Sequence, residues 1–221
     1  MDYSSYKKEV LELKPDFSEV PHDGSYEAFR RRLPHWEADG RLYFVTFCLQ
    51  GAIPKHVLAE IRAKRELWLK TNHKPWSRDQ TITYRNHFQK PIEDGLDRSE
   101  GICLLKELPY RTIIETSLRF FDQDRYRLDA FVIMPSHVHV LVLPLSGSSL
   151  SKILHSWKSY SSLQINRLRD AEGKRVWQEE RFDSIVRSIH HLNWYRRYIQ
   201  ENPIKAGLSK DEYTLGKGSG I

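Results

Sequence analysis

Two imidazoles at His137 and His139, and a tyrosine four residues ahead of an asparagine, Tyr198 and Asn202, are the side chains here best suited to chemistry. In an extended segment residues i and i+2 face the same way, about 6–7 Å apart at Cα, close enough to share one divalent ion. Histidine is the commonest metal ligand. The plainer alternative, in a chain with 10 histidines, is a pair of core residues. On a helix, positions i and i+4 share a face one turn apart. The Asn202 carbonyl oxygen could then complete a site begun by His137 and His139, and such a mixed N/O set suits Mg²⁺ or Mn²⁺ better than a closed zinc site. A phenol with a pKa of about 10 is a weak nucleophile at neutral pH, and a metal helps by polarising phosphoryl oxygens and positioning the reactants. Ligands and tyrosine together are what is needed to break a phosphodiester and hold one end covalently. Tyr195 competes for the role, but the helical rise puts it about 10 Å along the axis from Asn202, against about 6 Å for Tyr198. Tyr198 is therefore the candidate nucleophile and Tyr195 a packing or base-stacking residue. The alternative is that both are core aromatics of an amphipathic helix.

Strands and helices must position these groups. Arg41–Gln50 is the first strong strand, and Tyr126–Met134 and Val138–Leu143 are two more, separated by Pro135. So tight a link implies an antiparallel pair. Pro54–Lys70 and Pro109–Asp122 read as helices, and Ser146–Ser149 caps a third that runs to Leu168. Phe182–Val186 is a short strand, followed by a helix from His190 that Pro203 should end. Residues 71–101 are polar and rich in breakers, an insertion without a clear period. Residues 1–29 read as a loosely ordered arm, 30–210 as one α+β domain and 211–221 as a flexible tail.

A net charge of +6 and a pI of about 9.2 favour a polyanionic partner. Arg30–Arg32, Lys158, Arg196 and Arg197 interleave with Trp36, Tyr43, Trp157, Tyr160, Trp194 and Tyr195, which suits unpaired bases; solvated basic faces and core aromatics are the alternative. Cys48 and Cys103 make no disulfide framework. The first residues lack an apolar leader and no run reaches membrane-span length, so a cytoplasmic protein without a membrane partner is expected.

From about Arg30 to Leu208 the chain resembles the REP-associated tyrosine transposases, a bacterial branch of the single-tyrosine HUH transposases. The resemblance rests on Arg31-Arg32-Leu33-Pro34-His35-Trp36, Tyr43-Phe44-Val45-Thr46-Phe47, Arg125-Tyr126-Arg127-Leu128 and Met134-Pro135-Ser136-His137-Val138-His139-Val140-Leu141. Ser156-Trp157-Lys158-Ser159, Val176-Trp177-Gln178-Glu179 and the run Tyr198–Leu208, beginning Tyr-Ile-Gln-Glu-Asn-Pro, complete it. The family usually carries Asn where Ser136 stands, a position that is not a ligand. The resemblance implies a ferredoxin-like antiparallel sheet with packed helices, the His-x-His on a central strand and the catalytic tyrosine on a C-terminal helix. It makes His137, His139 and Asn202 the ligands of Mg²⁺ or Mn²⁺ and Tyr198 the nucleophile. It places Arg30, Arg31, Arg32 and His35 near a guide tetranucleotide. The implied reaction is cleavage and joining of single-stranded DNA at repetitive extragenic palindromic hairpins through a 5′-phosphotyrosine, by a monomer or homodimer. Two rivals remain: a non-catalytic hairpin-binding regulator on the same fold, and a metal phosphodiesterase that uses water instead of Tyr198.

Overall fold

The computed structural model describes residues 28–30, 34–36, 40–73, 76–98, 101–179 and 181–221. Among these, the strands are β1 (Ala28–Arg30), β2 (Pro34–Trp36), β3 (Tyr43–Cys48), β4 (Tyr126–Ile133), β5 (His137–Pro144), β6 (Phe182–Ile185) and β7 (Thr214–Lys217). The helices are α1 (Lys55–Thr71), α2 (Arg78–Tyr84), α3 (Lys90–Asp97), α4 (Leu108–Arg119), α5 (Leu150–Leu168) and α6 (Ile189–Lys205), with a π-helical turn at Arg85–Gln89. β1 and β2 pair with each other. The other strands form one antiparallel sheet in the order β6-β3-β5-β4-β7. With α4 before β4 and α5 after β5, the first four strands of that order give the α+β domain read from the element order and the ferredoxin-like sheet that the resemblance implies.

Alternation along β5 sorts its side chains between two cores. Val138, Val140 and Val142 pack with Phe47, Ile114 of α4 and Trp157 of α5. Leu141 and Leu143 pack on the opposite face with Phe44 of β3 and with Leu192, Tyr195 and Ile199 of α6. His137 and His139 share the parity of Leu141 and so lie on the α6 face. Both faces of β5 are covered, which is why every residue of that strand is buried. Ser149 caps α5 by accepting a hydrogen bond from the Lys152 amide, and Ser188 caps α6 through His191.

Three local expectations give way to tertiary contacts. Residues 71–101, expected as an insertion without a clear period, contain α2, the π-helical turn and α3. Trp68 of α1 gathers Trp76, Tyr84 and Phe88 within ring-centroid distances of 5.2–5.9 Å. Ile92 and Leu96 of α3 dock into the main core. Pro203 does not end α6, which runs on to Lys205. In the last turn a missing N–H costs a single bond, and Ala206 still donates to the Asn202 carbonyl at 3.0 Å. Residues 214–217 of the expected tail are strand β7, paired with β4 from Ala130 to Ile133. The glycines that suggested flexibility serve close approach instead. A Cβ at Gly216 would lie 2.0 Å from the Phe131 ring, and one at Gly218 would lie 2.1 Å from the Leu128 carbonyl oxygen. The expected arm, 1–29, lies almost entirely outside the described residues.

Candidate metal and nucleophile site

The His pair is fixed by strand register. His137 lies opposite Cys48 and His139 opposite Thr46 on β3, while His139 lies opposite Val132 on β4. Both imidazoles are fully buried. Each Nδ1 meets a hydroxyl, His137 at 3.0 Å from Ser136 Oγ and His139 at 2.7 Å from Thr46 Oγ1. Ser136 donates onward to the Leu96 carbonyl at 3.4 Å, so it accepts from His137 Nδ1–H and leaves that Nε2 as a bare lone pair. The two Nε2 atoms face each other at 3.0 Å. Burial holds His137 down to about 3. Burial, and then His137, hold His139 well below the usual imidazole range. Both rings are therefore neutral at pH 7, the form that ligates a metal.

The third group is one the sequence reading missed. Asp97, the last residue of α3, brings Oδ1 to 3.7 Å from His137 Nε2. One ligand atom from each of Asp97, His137 and His139 lies within 4.8 Å of the others. Burial pushes the Asp97 carboxyl up, with the Asn202 hydrogen bond opposing. A negative charge at a helix C-terminus is also unfavourable unless a cation compensates it. No local signal marks Asp97, because an acid in a polar helical stretch is usually solvated.

Asn202 and Tyr198 complete the surroundings. Asn202 is buried and donates from Nδ2 to Asp97 Oδ1 at 3.1 Å. It is thus linked to the cluster through the Asp97 carboxylate. The Tyr198 ring stands edge-on to His139, with centroids 5.3 Å apart. The Tyr198 hydroxyl and Asn202 Oδ1 are both buried and without a hydrogen-bond partner. Two poorly satisfied oxygens beside the His137 Nε2 lone pair, the neutral His139 ring and a carboxylate fit a divalent cation, since buried polar groups left unpaired otherwise cost about 1–3 kcal/mol each. Burial raises the Tyr198 phenol well above its ordinary range, and the charges of Asp97, Glu93 and Asp94 add to this, with the nearby Asn202 side chain opposing. Tyr195, by contrast, is buried and stacked on Phe44 at 4.1 Å, which makes it a core residue rather than a base platform. Trp157 and Tyr43 are core residues as well.

The expected DNA contacts divide. Arg197 is exposed. Arg196 donates to both oxygens of Asp129 at 2.8 and 2.5 Å, tying α6 to β4. Lys158 donates to the Gln178 carbonyl at 2.7 Å. Arg31 and Arg32 lie outside the described residues, and Arg30 and His35 fall in β1 and β2.

Residues 106–202 match the family described as transposase IS200 like, a stretch that begins after Asp97 and ends at Asn202. The matched stretch contains the strand that carries His137 and His139 and, as far as Asn202, the helix that carries Tyr198. A solved REP-associated tyrosine transposase bound to a REP hairpin is similar at 16% identity, over 82% of this chain and 77% of that chain, with a TM-score of 0.47. No curated protein matches the chain. No helix among the described residues is long and apolar enough to cross a membrane.

Proposed function

We propose that this protein is a metal-dependent single-stranded DNA endonuclease and strand transferase, cytoplasmic, acting on hairpins of the repetitive extragenic palindromic class. The observation that carries this reading is the buried Tyr198 hydroxyl, with no well-formed hydrogen bond, on a ring set against the His137–His139–Asp97 cluster. Tyr198 attacks the scissile phosphorus, forming a 5′-phosphotyrosine while the bond to the 3′ oxygen breaks and that oxygen leaves as a 3′-OH. One phosphoester replaces another, so attack by a 3′-OH reverses the step and joins strands without an energy source. His137, His139 and Asp97 would hold a divalent ion, with Asn202 alongside, and that ion would polarise the phosphoryl oxygens. Mn²⁺ should bind more tightly than Mg²⁺, because two imidazole donors suit the softer ion. Asn202 orients Asp97 by its hydrogen bond, and His139 and Trp194 flank the tyrosine ring. Exposed Arg197, with Arg30–Arg32 and His35 ahead of β3, would supply phosphate and base contacts.

Of the two expected states, monomer and homodimer, this reading takes the monomer, with the ligands and the tyrosine supplied by the same copy. On this reading residues 30–210 are the catalytic domain, with 71–101 an insertion that contributes Asp97. Tyr198→Phe should abolish the covalent DNA adduct on a denaturing gel while hairpin affinity stays within about twofold, because only the nucleophilic oxygen is lost. Tyr195→Phe should still form the adduct. An adduct that survives Tyr198→Phe overturns the assignment. Cleavage without any adduct would favour the water-using phosphodiesterase, and hairpin binding without cleavage the regulator.

A further inference from the structure

Trp194 lies one turn before Tyr198 on α6, and the two rings stack at 5.5 Å with 15° between their planes. It also meets Tyr195 edge-on at 4.9 Å. A tryptophan with those contacts has apolar partners enough to be a core residue, yet 47% of it remains exposed. Its relative Tyr195, packed on Phe44, is 3% exposed. The rings thus form a series that starts at the buried His139, passes through Tyr198 and reaches solvent at Trp194. Exposed Arg197 lies one turn after it on the same helix, and exposed Arg187 just before the start of that helix. An exposed indole beside cations offers what an unpaired base needs, a π-face and phosphate charge, without choosing among bases.

Resting on the DNA-cleavage reading, we propose that Trp194 is a stacking platform for a nucleobase flanking the scissile phosphate, and so a positioning residue for Tyr198. A phosphate attacked by the Tyr198 oxygen brings its two nucleosides to the mouth of the site, where the indole already lies parallel to the nucleophile's ring. Stacking one of them there fixes the strand along the Tyr198–Trp194 line. It also selects single strands, because a paired base already stacks on its own neighbours. This gives register near the cleaved bond without hydrogen-bond readout, leaving sequence discrimination to other contacts.

The test uses the full chain and a palindromic DNA hairpin with a short single-stranded 5′ flank, each flank nucleotide made abasic in turn. Wild-type protein should lose about tenfold in affinity at one flank position, the scale of one base–aromatic stack. Trp194→Ala should bind the intact probe about tenfold more weakly and lose nothing further at that position. Trp194→Phe should recover part of both effects. Equal weakening of Trp194→Ala on intact and abasic probes would reduce Trp194 to a packing support for Tyr198 and overturn the proposal. So would an abasic penalty unchanged by Trp194→Ala. The two readings fail separately. An abasic penalty that depends on Trp194 but comes without any DNA adduct keeps the platform and sinks the cleavage reading. An adduct with no such penalty does the reverse.

Discussion

The candidate site is built from two regions that differ in how firmly they hold their ligands. His137 and His139 sit on a central strand, hydrogen-bonded on both sides to β3 and β4, with no exposure and with each Nδ1 braced by a hydroxyl. Asp97 ends a short helix in a polar stretch and remains partly exposed. It is tied to the sheet through the docked Leu96, the Ser136–Leu96 hydrogen bond and Asn202. The strand therefore supplies a preorganised, uncharged half-site. The helix supplies the charge, and that charge is costly until a cation neutralises it. Geometry and charge come from different parts of the chain, so they can be perturbed one at a time.

The largest effect should follow loss of the strand half. His137→Ala or His139→Ala removes a donor and should abolish Mn²⁺ binding by calorimetry together with adduct formation. The loss should exceed the about 10–100-fold typical of outer partners. A variant that keeps wild-type Mn²⁺ affinity would dissolve the cluster as a metal site.

Acid should then pull the two regions in opposite directions in chelator-treated protein. The folded-state value of His137 lies near 3, against 6.5 for an ordinary imidazole, so the unfolded chain takes up a proton that the folded one refuses. Its contribution is present above about pH 6.5 and is lost as pH falls toward about 3. Asp97 is raised, so its carboxyl costs stability above its folded value and recovers it on protonation. Asp97→Asn should therefore lose stability more steeply than wild type between about pH 7 and pH 4 in urea melts. Parallel profiles would mean that Asp97 carries no buried-charge penalty.

The same Asp97→Asn substitution sharpens the comparison at neutral pH. It keeps the shape and removes the charge, so the metal-free protein should melt at the same temperature or higher. The rise in melting temperature on adding Mn²⁺ should shrink, consistent with affinity down by about 10–100-fold. An undiminished shift would return the third-ligand role to Asn202.

The smallest change concerns the brace between the two regions. Ser136→Ala removes a hydroxyl shared by His137 and Leu96, and should cost about 1 kcal/mol of stability and up to about tenfold in Mn²⁺ affinity. Thermal melts with and without metal separate the two losses. No effect on either would mean that register alone orients His137.

Much of the frame was legible from the sequence because its causes are local. Alternating valines mark β5, capping serines mark the start of α5, and a three-residue link forces β4 and β5 antiparallel. Features set by distant contacts were not legible. Gly216 and Gly218 read as flexible because the Phe131 ring and Leu128 carbonyl they accommodate lie far back in the chain. Arg196 read as a DNA contact because nothing nearby in sequence announces Asp129, its bidentate partner on β4. Residues 71–101 read as an insertion without a clear period because their order comes from aromatic packing onto Trp68 rather than from a periodic face.

The sequence by itself determined that His137 and His139 share a face and that Tyr198 and Asn202 lie one turn apart, because a strand repeats every two residues and a helix turn closes in about four. Tertiary structure alone decided that those two pairs meet. It laid α6 across the His face of the sheet, set the Tyr198 ring against His139 and buried Tyr195 on Phe44. It also delivered Asp97 to the imidazoles. Each of those contacts joins residues too far apart along the chain for local periodicity to encode, so only the packing of the whole core could choose them.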